Sequence, residues 1–356
     1  MSWPNGPRIA LRLALGFVVP VSAVCLAGWI LPAARWEIHY GNKWHDSMGE
    51  VVDCAPGRNP FIGHHARVVG YGLEDPRGIA CDGDFVFIAD GGRENLLEFD
   101  ISSETMHETE GRATDPCTTC QQLDPRGLAM WDRDILTAEY QRSAVVRRVR
   151  AHPPGAPAPV SSGLGGPSGV ARYRDELLVT DDRPWPAMPA AMPAFDAANY
   201  KQWIEQSTPQ SFGVLYRIDM AAGGAPEPQD RLLSHPTGIA IDEARGLLYL
   251  AESDTSETRW LIFQRSSVGN QWQRHGVLSV ATNSSGTRPI FQGIAVWNER
   301  IYAAGPDGVY VFGKDGTSEG KLAFSEPVAG LAVQPGENAS LYLAAGHRLC
   351  RINLRR

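Results

Sequence analysis

The chain has 356 residues, 43% of them hydrophobic and 21% charged, a balance that builds a globular protein and excludes a disordered one. Its 37 Gly and 26 Pro are more turn-formers than a helical bundle accommodates, and the length suits one repeat-built domain. A formal charge of −7 argues against nucleic acid as the main partner.

The first element in the chain is Leu13 to Pro32, LALGFVVPVSAVCLAGWILP, an uncharged stretch preceded by Arg8 and Arg12 and just long enough to span a bilayer as a helix. Two readings stay open. One is an uncleaved single anchor. The other is a cleaved secretory signal, for which Pro32-Ala33-Ala34 is a poor processing site. Residues 1–35 are thus expected to be a transmembrane or signal helix, 36–65 a linker and lead-in, and 66–356 the folded domain. The expected location is a single-pass membrane protein with its domain outside the cytoplasm, the alternative being a secreted or periplasmic one. An oxidising compartment permits disulfides among Cys54, Cys81, Cys117, Cys120 and Cys350, in a pairing the sequence leaves open.

From residue 66 onward a unit repeats. Asp75-Pro76-Arg77-Gly78-Ile79-Ala80 leads into Phe85 to Asp90, and Asp124-Pro125-Arg126-Gly127-Leu128-Ala129 leads into Asp134 to Glu139. Gly166-Pro167-Ser168-Gly169-Val170-Ala171 leads into Glu176 to Asp181, and His235-Pro236-Thr237-Gly238-Ile239-Ala240 into Gly246 to Glu252. The fifth and sixth copies are Phe291-Gln292-Gly293-Ile294-Ala295 with Arg300 to Ala304, and Val328-Ala329-Gly330-Leu331-Ala332 with Ser340 to Ala344. A third apolar run follows each pair, for example Asn95 to Phe99. Short apolar runs bounded by Gly, Asp and Asn read as strands. The repeat glycines recur at intervals that suit one four-stranded blade each, so the predicted fold is all-β, a six-bladed β-propeller. Too little chain follows Ile352 for a last outer strand, and Ala66 to Gly70 is expected to supply it and close the ring. That closure makes a Cys54–Cys350 disulfide one option and two buried thiols the other.

The motifs of the later units carry a family resemblance. Gly213-Val214-Leu215-Tyr216-Arg217-Ile218-Asp219, His235 to Asp242, Leu248-Tyr249-Leu250-Ala251-Glu252-Ser253 and Ile301 to Phe312 resemble the gluconolactonase/senescence-marker-protein family, with NHL and strictosidine-synthase-like propellers as further kin. The resemblance spans roughly 66–354. It implies a divalent cation held by oxygen ligands on the inner strands, such as calcium requires. Carried over blade by blade, those positions are Arg77, Ser168, Thr237 and Gln292, all of them substituted and none a carboxylate. The expectation is therefore no metal cofactor, with calcium kept as the alternative.

What remains is a polar cluster at one mouth of the channel. Arg77, Arg126, Ser168, Thr237 and Gln292 are expected to point into it, and Asp90, Glu139, Asp181 and Glu252 to end neighbouring strands there. One reading is an ion-pair network that plugs the channel. The other is a site that binds an anionic or lactone-like ligand, with the two arginines as clamps and Glu139, Glu252 and His235 as acid/base candidates. His235 is read as the histidine of the mouth. An insertion at 182–212, with Trp185, Phe195 and Trp203, is expected either to cover the mouth as a lid or to pack against a neighbouring surface.

Cys117-Thr118-Thr119-Cys120 has neither the helical context of a redox motif nor a second cysteine pair for zinc. No Gly-x-Ser-x-Gly or phosphate-binding loop occurs, so serine hydrolases of that type and nucleotide enzymes find no support. The expected function is a membrane-tethered propeller that binds a small molecule or protein partner at its channel face. The alternative is a lactone or ester hydrolase with a rebuilt site.

Overall fold

Short strands rich in Val, Ile, Leu and aromatic residues, separated by Gly- and Asp-containing turns, form six antiparallel sheets in the computed structural model. Its described residues are 47–48, 50–52, 66–108, 124–150, 158–182, 213–233, 235–253, 258–267, 271–279 and 291–354. They fall within one unit, Ser47–Arg356.

Each sheet is a blade, and in the first four the strands follow chain order from the channel outward. The first blade comprises Pro76–Cys81, Phe85–Asp90, Asn95–Asp100 and Thr105–Glu108. Blades two to five repeat this plan from innermost strands Pro125–Trp131, Pro167–Tyr173, Pro236–Asp242 and Gly293–Trp297. The sixth blade has Val328–Gln334, Ser340–Ala345 and Arg348–Asn353, and takes its outer strand, Ala66–Tyr71, from the beginning of the domain. The ring closes as the sequence implies.

Residues 36–65 contribute more than a linker. Ser47–Met48 pairs with the outer strand of the sixth blade and Glu50–Val52 with Ser318–Ala323 of the fifth, giving each a fifth strand. Both sheet edges at the closure are thereby covered.

The second strand of each blade is buried on both faces, because a neighbouring blade packs on either side. Asp134–Glu139, Glu176–Asp181 and Ser340–Ala345 are buried along their whole length. Aromatic rings fill the wedges between blades. Trp260 of the fourth blade stacks on Phe291 at the start of the fifth, ring centroids 4.7 Å apart, and Phe312 closes edge-on against both.

The repeat glycines have a steric cause. A Cβ on Gly78 would sit 2.0 Å from the carbonyl oxygen of Arg126 in the next blade. One on Gly127 would meet Gly169 Cα at 2.8 Å, and one on Gly169 the Thr237 carbonyl at 2.6 Å. The same contact passes from Gly238 to Gly293, from Gly293 to Gly330, and from Gly330 back to Gly78. Six backbones thus meet around the axis, and the channel narrows there to about 60 Å³. Any side chain at these positions would push blades apart.

Residues 1–46, including the apolar span, lie outside the described residues, as do Cys54, Cys117, Cys120 and most of the insertion, 183–212. No helix among the described residues is long and apolar enough to cross a membrane.

Candidate functional site

At five of the six ring glycines the chain departs from regular pairing. The register shifts between Pro76 and Gly78, Pro125 and Leu128, Pro167 and Gly169, Pro236 and Ile239, and Val328 and Gly330. These are β-bulges, which release a residue from the ladder and re-aim its side chain. The residues released include Arg77, Arg126, Ser168, Thr237 and Ala329, and Gln292 precedes the corresponding strand of the fifth blade. All six line one bowl of about 650 Å³ at the channel mouth, closed below by the glycine ring. Five of them are the residues the sequence places there. The sixth blade's contribution, Ala329, is an addition.

The charges of the bowl are arranged differently from the expectation. Arg77 donates through Nε and Nη2 to Asp75 Oδ2, at 3.0 and 2.7 Å, and through Nη1 to Asp124 Oδ1 at 2.5 Å. Its donors are largely consumed. Arg126 reaches Asp124 only at 3.5 Å, lies over the Tyr140 ring with its Cζ 3.5 Å from the centroid, and has a buried Nε with no hydrogen-bond partner. It is the less satisfied cation.

The strand-end carboxylates are turned away from the bowl and do not line it among the described residues. Asp90 is fully buried and accepts the backbone N–H groups of Glu74, Asp75 and Gly92. Asp181 accepts those of Gly165 and Gly166, both at 2.6 Å. Each carboxylate fixes the loop leading into its blade's innermost strand, satisfying N–H groups that would otherwise be stranded. Glu139 pairs with Arg148 Nη2 at 2.7 Å in a fully buried contact, and Glu252 with Arg259. The partners of the bowl's arginines are instead Asp75 and Asp124. The signal for them is in the sequence, since both repeats read Asp-Pro-Arg-Gly, although Asp124 makes its short contact with Arg77 of the preceding blade and not with Arg126 two residues on.

Ser168 and Thr237 spend their protons on the frame. Ser168 Oγ lies 2.9 Å from the Pro236 carbonyl, and Thr237 Oγ1 donates to the Phe291 carbonyl at 2.5 Å, each bonding to the next blade. They offer the bowl lone pairs. Gln292 is exposed at the rim of the bowl.

His235 sits beside the mouth with its ring half exposed, Nδ1 3.2 Å from Asp182 Oδ1, and is not among the described residues lining the bowl. Its φ of 45° is unusual before a proline, since Pro236 Cδ crowds that conformation. A second histidine, His347, does line the bowl, which corrects the expectation that His235 is the histidine of the mouth. His347 lies in the turn between the second and third strands of the sixth blade, equivalent to the Gly305-Pro306-Asp307 turn of the fifth. Nothing in the repeat motif marks it, because the turn is outside the motif.

The donor set does not suit a hard cation. Arg77 brings a positive charge to a position where the family resemblance implies a ligand oxygen, and its two carboxylate partners are already engaged. Among the described residues no group of three or more His, Cys, Asp or Glu side chains is arranged to hold a metal ion.

No protein-family model matches this sequence, and no curated protein does either. Solved structures do match. A gluconolactonase from Xanthomonas campestris aligns at 16% identity and a TM-score of 0.64, covering 87% of this chain and 95% of that one. The calcium-binding protein regucalcin from Agrobacterium tumefaciens aligns at 14% identity and a TM-score of 0.58, covering 82% and 95%. The fold is that of the gluconolactonases and regucalcin. The same gluconolactonase-like propeller also resembles the PQQ-bound aldose sugar dehydrogenase from Streptomyces coelicolor, at 16% identity and a TM-score of 0.53, over 88% of this chain and 100% of that one. Those three proteins carry different chemistries, so the likeness gives the fold, and function rests on the bowl.

Proposed function

We propose that this chain is a membrane-tethered, extracytoplasmic propeller whose bowl binds a small carboxylate-bearing ligand, and that the divalent-cation site of the gluconolactonase and regucalcin type has been lost. The observation that carries the reading is Arg126. A guanidinium that lines the bowl, stacked on an aromatic ring and with only a long contact to Asp124, gains charge-assisted hydrogen bonds when an anion arrives. Arg77 and Asp124 act as the fixed frame beside it.

Calorimetric titration with a panel of small carboxylates tests this. Arg126→Ala is expected to weaken binding about 10-fold or more, in line with loss of a charged hydrogen bond, whereas Gln292→Ala changes it little. Equal affinity in the wild type and Arg126→Ala, or calcium-dependent binding, would sink the proposal.

The tether rests on Leu13 to Pro32. In cells making the full chain, the propeller is expected in the membrane fraction, resistant to carbonate wash and accessible to protease added from outside the cytoplasm. Deleting residues 1–35 should leave it in the cytosol. Recovery of the full chain as a shortened soluble protein would favour the cleaved-signal alternative.

A further inference from the structure

His347 has the features of an oriented base that the binding reading leaves unused. Gly346, at φ 52°, makes the turn that presents it, a left-handed backbone conformation that glycine adopts readily. The His347 ring then stands at the bowl with Nδ1 2.6 Å from the carbonyl oxygen of Leu73. A carbonyl only accepts, so Nδ1 carries the hydrogen, and in the neutral ring Nε2 is left with its lone pair. The same residue's backbone carbonyl accepts the N–H groups of Gly72 and Leu73, which fixes the turn from its other side. The orienting partner thus belongs to the loop that leads to Arg77. Around the bowl, the blades carrying His347, Arg77 and Arg126 are consecutive.

We propose that His347 is a general base for hydrolysis of a neutral carboxylic ester in the bowl, without a metal, and that Arg126 faces the developing oxyanion. The inference rests on the anion-binding reading, since the group that holds a carboxylate product also suits a charged transition state. His347 Nε2 takes a proton from water as the water oxygen bonds to the ester carbonyl carbon. The carbonyl electron pair moves to its oxygen, beside the Arg126 guanidinium. Collapse of the tetrahedral intermediate breaks the bond to the alcohol oxygen, which leaves with the proton from Nε2–H. The acid formed loses its proton to solvent and rests as a carboxylate on Arg126.

The test uses the full chain with a chelator present and 4-nitrophenyl butyrate as substrate. Saturable release of 4-nitrophenol is expected, with kcat falling about 100-fold or more in His347→Ala and KM little changed. Free imidazole should restore part of that rate, and carboxylate binding should persist. A rescue of that kind would not follow from a merely structural role. If circular dichroism shows His347→Ala to be unfolded, His347→Asn, whose amide nitrogen takes the place of Nδ1 and can still donate to the Leu73 carbonyl, must show the same loss. No saturable turnover in a wild type that binds carboxylates, an unchanged rate in His347→Asn, or loss of turnover on chelation would each overturn the proposal. Failure of carboxylate binding itself would instead strike the proposed function.

Discussion

Gly78→Ala is expected to lower stability by about 3 kcal/mol or more in denaturant unfolding, because its Cβ would stand 2.0 Å from a backbone oxygen of the next blade. No rotamer relieves that contact, since both atoms belong to frames held by sheet pairing. The effect should be graded around the ring. Gly169→Ala, at 2.6 Å from the Thr237 carbonyl, should cost less, and Gly330→Ala, whose nearest contacts are at 3.3 Å, less again. Gly83→Ala provides the control. It sits in an open turn with φ 80° and nothing within 4 Å of a Cβ, so its cost is conformational only, about 1 kcal/mol. A flat response across the ring positions would contradict the backbone-to-backbone packing.

Glu176→Gln should be comparably damaging, at about 3–5 kcal/mol, by a different cause. Glu176 begins the second strand of the third blade, at the end away from the bowl, with its side chain 8% exposed. It accepts Arg217 Nη1 at 2.9 Å, Arg265 Nε at 3.0 Å and a weaker Trp272 N–H at 3.4 Å. Arg265 and Trp272 come from the fourth blade, so one carboxylate ties two blades together. Neutralising it removes the charge that two largely buried guanidinium groups share, leaving Arg217 its ion pair with Glu227 at 2.6 Å and Arg265 beside a neutral amide. Burial alone would raise the Glu176 pKa, but the hydrogen bonds and charges of Arg265 and Arg217 outweigh it and hold it below the ordinary glutamate range. A folded-state value below the unfolded one means that this stabilisation is complete above the ordinary glutamate pKa and fades as pH falls through the depressed one. Wild-type stability should therefore decline on acidification below about pH 4.5, and Glu176→Gln should flatten that part of the profile. An unaltered acid limb in the variant would count against the assignment.

The fold was legible because the repeat is a steric necessity: the ring glycines and the bulged residues before them recur wherever an innermost strand meets the axis. Arg77, Arg126, Ser168, Thr237 and Gln292 could be placed in one mouth for the same reason. The chemistry was less legible. Asp90 and Asp181 end strands near the mouth, yet their carboxylates serve backbone N–H groups, a demand invisible without the loop geometry. Asp75 and Asp124 were readable from the doubled Asp-Pro-Arg-Gly, although the pairing of Asp124 with Arg77 across blades depends on the bulge that throws the arginine sideways. His347 escaped notice because turns between second and third strands share no motif, and its position depends on contacts with Gly72 and Leu73 that the sequence does not mark.

Closure of the ring by Ala66–Tyr71 has a consequence for biogenesis. That strand is among the first of the domain to be synthesised, and its partner, Arg348–Asn353, is among the last. A chain delivered amino-terminus first must hold one edge of that strand open until the sixth blade has emerged. The pairing is the longest-range strand pairing among the described residues, and loop-closure entropy makes such contacts slow to form. Early blades can pack in sequence as they appear, but the final circle waits for the sixth blade, and the waiting edge is an opening for illegitimate strand pairing. Carboxy-terminal truncations that remove only Arg348 onward should therefore behave as open, self-associating arcs.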